Sequence, residues 1–137
     1  MKTIEQNTWK TDKSLQRFTL DEPSSKLRLS LRRYYVDEFY SRHVVTLPSN
    51  INVLDLGGTK ILKRGQFDIE QYALNVCYAN LVADKQPDVQ CDAAHLPFKE
   101  ASFDAVICAE MLEHTPKPGQ VLSEIYQILH SGGILRS

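Results

Sequence analysis

The residues able to do chemistry in this chain stand at the ends of its apolar runs. Asp55 and then Gly57-Gly58 close the run that starts at Ile51. Asn80 and Asp84 stand near the end of a second run, Asp92 follows a third, and Glu110 follows a fourth. Glycines at 57 and 58 carry no side chains, so their backbone N–H groups can come close to a ligand. A carboxylate or phosphate would accept from them. Polar groups at the ends of the second and third runs suit the hydroxyls of a ribose and the exocyclic amine of an adenine. A Gly-Gly pair alone is equally a plain tight turn, so the four polar run-ends in succession are the more specific signal. Neither the phosphate-cradling pattern GxxxxGK[ST] nor the dinucleotide pattern GxGxxG is present, since Thr59-Lys60 follows the pair.

These groups need strands to carry them. Residues 51–56 are apolar at nearly every position, as in a strand covered on both faces. Residues 74–81, 89–91 and 103–109 read the same way, and Ile134-Leu135 opens a fifth strand. The segment 59–73 is long enough for a crossover, but Gly65 interrupts it and Asp68 can cap a short turn through Ile69 and Tyr72, so a broken crossover is expected. Pro118 suits a helix start. Val121, Leu122, Ile125, Ile128 and Leu129 then form a core-facing stripe, ended by Gly132-Gly133. Upstream, residues 23–44 read as an amphipathic helix in which Leu27, Leu31, Tyr35 and Phe39 recur every four residues. Lys26, Arg28, Arg32 and Arg33 lie off that stripe, on a solvated face or a basic patch for an acidic ligand. Residues 1–22 are polar and read as a flexible arm, with Trp9 and Phe18 as its large anchors. Repeated strand–crossover–strand units imply a doubly wound, Rossmann-like α/β sheet, mostly parallel. Ligands of such sheets bind outside the carboxyl ends of the strands.

Bulk properties remove other classes. A chain of 137 residues suits one domain, and 42% hydrophobic with 24% charged residues is ordinary globular composition. A net charge of −1, from 16 basic and 17 acidic residues, gives no field to draw it to nucleic acid or an anionic membrane. The start of the chain lacks a signal-peptide core, and no run approaches the ~20 apolar residues of a membrane span. A soluble, cytoplasmic protein is expected. Cys77, Cys91 and Cys108 include no CxxC pair, which reads as reduced thiols in apolar runs and no zinc site.

Taken together, Val53-Leu54-Asp55-Leu56-Gly57-Gly58, Cys91-Asp92-Ala93-Ala94-His95-Leu96-Pro97-Phe98, Ser102-Phe103-Asp104-Ala105-Val106, Met111-Leu112-Glu113-His114 and Ile128-Leu129-His130-Ser131-Gly132-Gly133 resemble a class I S-adenosylmethionine-dependent methyltransferase of the type 11, ubiquinone/menaquinone-biosynthesis-like group. The resemblance spans about residues 27–135. It implies S-adenosylmethionine as cofactor and a small-molecule methyl acceptor. It implies that Asp55 helps hold the methionine ammonium, that Gly57 and Gly58 let the backbone meet the methionine part, and that Asp92, with the Ala93 amide beside it, takes the adenine amino group. Glu110 would open the loop lining cofactor and substrate, and Leu96 and Phe98 would pack near the adenine. His114 is the one candidate for a base, against a purely structural part in positioning the next helix.

The chain departs from the family pattern in three ways. The family loop runs G-x-G-x-G, and here only Gly57-Gly58 stands. The family's ribose-binding acid belongs near Leu81-Val82, so Asn80 or Asp84 has to take its place. The family fold continues past residue 135, which implies an incomplete domain over 23–137 with its Rossmann-like core at 51–135. Strand four would then be an exposed apolar edge, and the isolated chain marginal or insoluble. A truncated, non-catalytic relic with weak or no cofactor binding is the alternative to a working enzyme.

Overall fold

A computed structural model describes residues 31–60 and 66–137. The expected arm at 1–22 and the expected helical residues 23–30 lie outside them. Helix α1, Leu31–Val44, leads into strand β1, Asn52–Leu56. Strand β2, Asn75–Asn80, pairs parallel with β1 on one side, and β4, Phe103–Ile107, pairs parallel with it on the other. Strand β3, Val89–Gln90, flanks β2. Helix α2, Pro118–Ile128, returns the chain to β5, Leu129–Arg136, which flanks β4. The order is β3-β2-β1-β4-β5, with every pairing parallel. Chain order reverses beside β1, and that is where an open parallel sheet leaves a crevice.

The two faces of the sheet bury different cores. Leu54, Leu56, Ala79, Val106 and Cys108 face α2, whose Val121, Ile125 and Ile128 are almost fully buried against them. Val53, Tyr78, Ala105 and Ile107 face α1 and Ile69. The described part of the β1–β2 connection has no α-helix. It has a single 3-10 turn, Ile69–Gln71, capped by the Asp68 side chain, which accepts from the Glu70 N–H. Stacked rings pack it against α1: Tyr40, Phe67 and Tyr72 follow in series with centroids 5.6 Å apart. The Asp37 carboxylate accepts from the Gln66 and Phe67 N–H groups and ties this connection to α1.

Helix α1 is turned from the expected stripe. Leu31 and Tyr35 are exposed, and Phe39, Tyr40 and Val44 meet the sheet. A line of residues four apart drifts about 40° around the helix per step. The Leu31–Tyr35 line therefore faces outward, and the line one residue along, Val36–Tyr40–Val44, faces the sheet. It has a polar group at its middle.

The other end of the fold also differs from expectation. Helix α2 stops at Ile128, where the Leu129 N–H bonds the Ile125 carbonyl, so Gly132-Gly133 does not cap it. The glycines instead sit in a bulge. Phe103 pairs with Leu129 and Ala105 with Ile134, so β5 takes five residue steps against two in β4. Gly132 adopts φ +82°, and a Cβ at Gly133 would press on the His130 carbonyl and the Leu129 side chain. Nor is β4 an edge. It lies between β1 and β5 with Ala105, Val106 and Ile107 fully buried, because the eight residues of β5 complete a strand.

Strand β3 is only two residues long and is held by one acid. Asp88 accepts from the Tyr78 N–H of β2 and from Lys60 Nζ, and these bonds, the Lys60 bond first, pull its carboxyl below the usual range. A depressed folded-state value stabilises the fold above the unfolded value and is lost as pH falls through the folded one. Chemical denaturation should therefore show Asp88→Asn less stable than the parent at neutral pH, with the gap closing below about pH 4.

Candidate functional site

The alternation of β1 decides what its end presents. Leu54 and Leu56 go to the α2 core, so Asp55 points to the α1 face. Asp55 is 3% exposed and accepts from the Tyr40 hydroxyl at Oδ1, 2.8 Å away. Burial first, and then the charge of Asp55, raise the Tyr40 phenol well above its ordinary value, so it stays a proton donor. The same two causes in the same order push the neighbouring Cys108 thiol up to about 11. Cys77, Cys91 and Cys108 are all free thiols.

The glycine turn is shaped by its neighbours. Gly57 adopts φ +81°, and a Cβ there would crowd the Met111 side chain. At Gly58 a Cβ would land within the Asp55 carboxylate. The Gly57 N–H donates to the Ala79 carbonyl, 2.8 Å away, one step past the β1–β2 ladder. Asn80 then holds the turn. Its Nδ2 donates to the Gly57 carbonyl at 3.2 Å and the Gly58 carbonyl at 2.9 Å, and its Oδ1 accepts from the Val82 N–H at 3.0 Å.

Two cavities meet at Gly57 and Asn80. The one under α1, about 280 Å³, is bounded by Tyr40, Asp55, Phe67, Lys85 and Glu110. The other, about 520 Å³, lies on the β3 side, past the strand ends, between Leu81, Cys91, Asp92, Ala93, Met111 and His114. Asp92 Oδ1 accepts from the Ala94 N–H, and Asp92 Oδ2 lies 3.7 Å from the His95 ring. Glu110 closes the α1-side cavity with a left-handed backbone, φ 53°, a conformation costing roughly 1–2 kcal/mol outside glycine. Arg32 Nε lies 2.9 Å from both of its carboxylate oxygens.

The residues between 59 and 136, more than half of the chain, match a family described as a methyltransferase domain. The chain belongs to that family. Its relatives include the ubiquinone/menaquinone biosynthesis C-methyltransferase UbiE of Brucella anthropi, 31% identical over 66% of this chain and 28% of that protein. They also include the demethylmenaquinone methyltransferase of Lactobacillus johnsonii, 38% identical over 68% of this chain and 32% of the relative. The chain thus spans about a third of the length of these curated relatives. A solved structure with the same fold is the 1,6-didemethyltoxoflavin-N1-methyltransferase of Burkholderia thailandensis with bound 1,6-didemethyltoxoflavin and S-adenosylhomocysteine. It has a TM-score of 0.52 and 21% identity over 73% of this chain and 48% of that one.

In this methyltransferase domain the sheet brings Asp55, Gly57, Gly58, Asn80, Asp92, Ala93 and Glu110 to the walls of the two adjoining cavities. Asp84 borders neither; its neighbour Lys85 does. Leu96 is buried in the α2-side core, and Phe98 packs edge-on to Phe103 at 5.0 Å, so both support the core and not the cavity wall. His114 borders the β3-side cavity, with Nε2 3.4 Å from the Arg32 guanidinium.

Sequence reasoning missed one residue of the site, Tyr40, and the partner of another, Arg32, whose place off the stripe fits a basic patch but which pairs with Glu110. The signal for Tyr40 was its place between Val36 and Val44 at i±4, a polar tip on an apolar line. The pairing of Arg32 with Glu110 had no local signal, since the two are 78 residues apart. Tyr40→Phe removes one hydrogen bond to a charged acceptor. Chemical denaturation should show the variant less stable by about 1–3 kcal/mol with the fold intact.

Proposed function

We propose that this domain binds S-adenosylmethionine across the two cavities and serves a methyltransferase that alkylates a small-molecule acceptor. The carrying observation is the glycine turn at the junction of the cavities, with a buried carboxylate beneath it and a second acid across it. The residues fit the group. Gly58 has no Cβ, which lets the Asp55 carboxylate lie directly against the turn, where it suits an ammonium, and Asp92 beside the Ala93 amide suits an adenine edge. When bound, S-adenosylmethionine supplies an electrophilic methyl on a sulfonium. The chain's own residues hold and orient: Tyr40 fixes Asp55, Met111 packs under Gly57, and the Arg32–Glu110 pair closes the α1 side. Such orientation is what methyl transfer needs most.

The acceptor belongs on the α1 side, where Tyr40, Phe67 and Val36 offer an aromatic and aliphatic wall. No described histidine lines that cavity, and His114 borders the other one. An acceptor that carries its own activation, such as an electron-rich quinol-type ring carbon, suits this wall, and the names of the relatives point the same way. Calorimetric titration of the full chain with S-adenosylmethionine and S-adenosylhomocysteine tests the reading. Saturable one-site binding, followed by transfer of labelled methyl to a demethylated quinol, is expected. No heat and no thermal shift at millimolar ligand would favour a non-catalytic relic.

A further inference from the structure

We infer that Asn80 is a positioning residue that clamps the Gly57-Gly58 turn, and that it does not hold the ribose. The inference rests on the cofactor reading above and changes how the site achieves it. An asparagine amide has two N–H donors and one carbonyl acceptor. Both neighbouring glycine carbonyls lie within reach of Nδ2, at 3.2 and 2.9 Å, and the Val82 N–H is 3.0 Å from Oδ1. These partners assign the amide without ambiguity, because carbonyls need the nitrogen and an N–H needs the oxygen. Its donors are spent, and a ribose hydroxyl would find only the second lone pair of Oδ1.

The same partners explain why an acid does not stand at position 80. A carboxylate has nothing to donate, and it would face the two carbonyl oxygens with a like charge. Asparagine joins the end of β2 to the turn that ends β1, and through Val82 to the chain that leads to Lys85 at the cavity wall. The turn is free of side-chain bulk, so without this clamp its glycines would sample other conformations.

The clamp and the ribose contact predict opposite signs. If Asn80 held the ribose, Asn80→Asp would tighten nucleoside binding through a charge-assisted bond. As a clamp, Asn80→Asp and Asn80→Ala should each weaken S-adenosylhomocysteine by roughly five- to a hundredfold. 5′-Methylthioadenosine, which has the adenine and ribose but no amino-acid end, should change less than about twofold. Titrations of the full-length chain with both ligands read this difference. Equal loss of both ligands in Asn80→Ala, or a gain in Asn80→Asp, overturns the clamp.

Hydrogen exchange of the ligand-free protein gives a second arm. The Gly57 amide, bonded to Ala79, should exchange faster in both variants while amides of β4 stay unchanged. Unchanged exchange at Gly57 overturns the clamp. If the parent chain binds neither ligand, the cofactor reading fails and the exchange arm alone decides this one. Asn80→Ser replaces either variant that does not give a cooperative thermal transition.

Discussion

Asp55→Asn should leave the chain folded and weaken S-adenosylmethionine and S-adenosylhomocysteine roughly ten- to a hundredfold, the usual worth of a hydrogen bond to a charged group. The size of the side chain is kept, and an amide oxygen can still accept from Tyr40, whose hydroxyl stands 2.8 Å from Oδ1. What is lost is the negative charge beneath the turn. Asp55 is the one nearly fully buried charged residue among those described, and a buried charge is expensive unless it is paired or hydrogen-bonded. The charge persists on β1 because strand alternation aims it into the α1-side cavity and not into the α2 core. The thermal midpoint should stay or rise, since an amide is less costly to bury. 5′-Methylthioadenosine, which has no ammonium, should bind as before. Equal weakening of this nucleoside would show that Asp55 acts through the fold and not through the amino-acid end.

Gly58→Ala should abolish detectable cofactor binding and lower stability by about 1–3 kcal/mol, the range for forcing extra atoms into a packed site. A Cβ at this position would occupy the space of the Asp55 carboxylate, so either the acid or the turn has to move. The acid is held by Tyr40 and the turn by Asn80, which leaves no inexpensive relaxation. Gly57→Ala is expected to be milder in contact but strained in backbone, since φ +81° disfavours any Cβ and Met111, the neighbour it would crowd, is a flexible side chain. Denaturant titration and calorimetry on the two variants separate these effects. A Gly58→Ala chain that binds the cofactor within threefold of the parent would refute the need for this close approach of turn and carboxylate.

The polar ends of the strands could be read without coordinates because a parallel strand covered on both faces is nearly all apolar. The place where such a run breaks is therefore the place where the strand leaves the core. That is why Asp55, Gly57-Gly58, Asp92 and Glu110 stood out, and why the α/β sheet followed. Asp68 as the cap of a short turn was legible for a similar reason, since the cap and the amide it serves are two residues apart. Helix α1 was harder. A four-residue repeat of large side chains was visible, but which line of it faces the sheet depends on the rotation set by Val44 and the stacked rings.

Which residues sit at strand ends follows from residue type along the chain, because burial selects apolar side chains locally. Only the tertiary structure decided how they are used. The order β3-β2-β1-β4-β5 puts β1 between β2 and β4, and thereby joins Asn80 to Gly58 across 22 residues and Tyr40 to Asp55 across 15. It also gave β4 a covering strand and moved Gly132-Gly133 from a helix cap into a bulge. Such contacts are set by strand register and helix rotation. Both are fixed only when distant parts of the chain pack, so no window of sequence contains them.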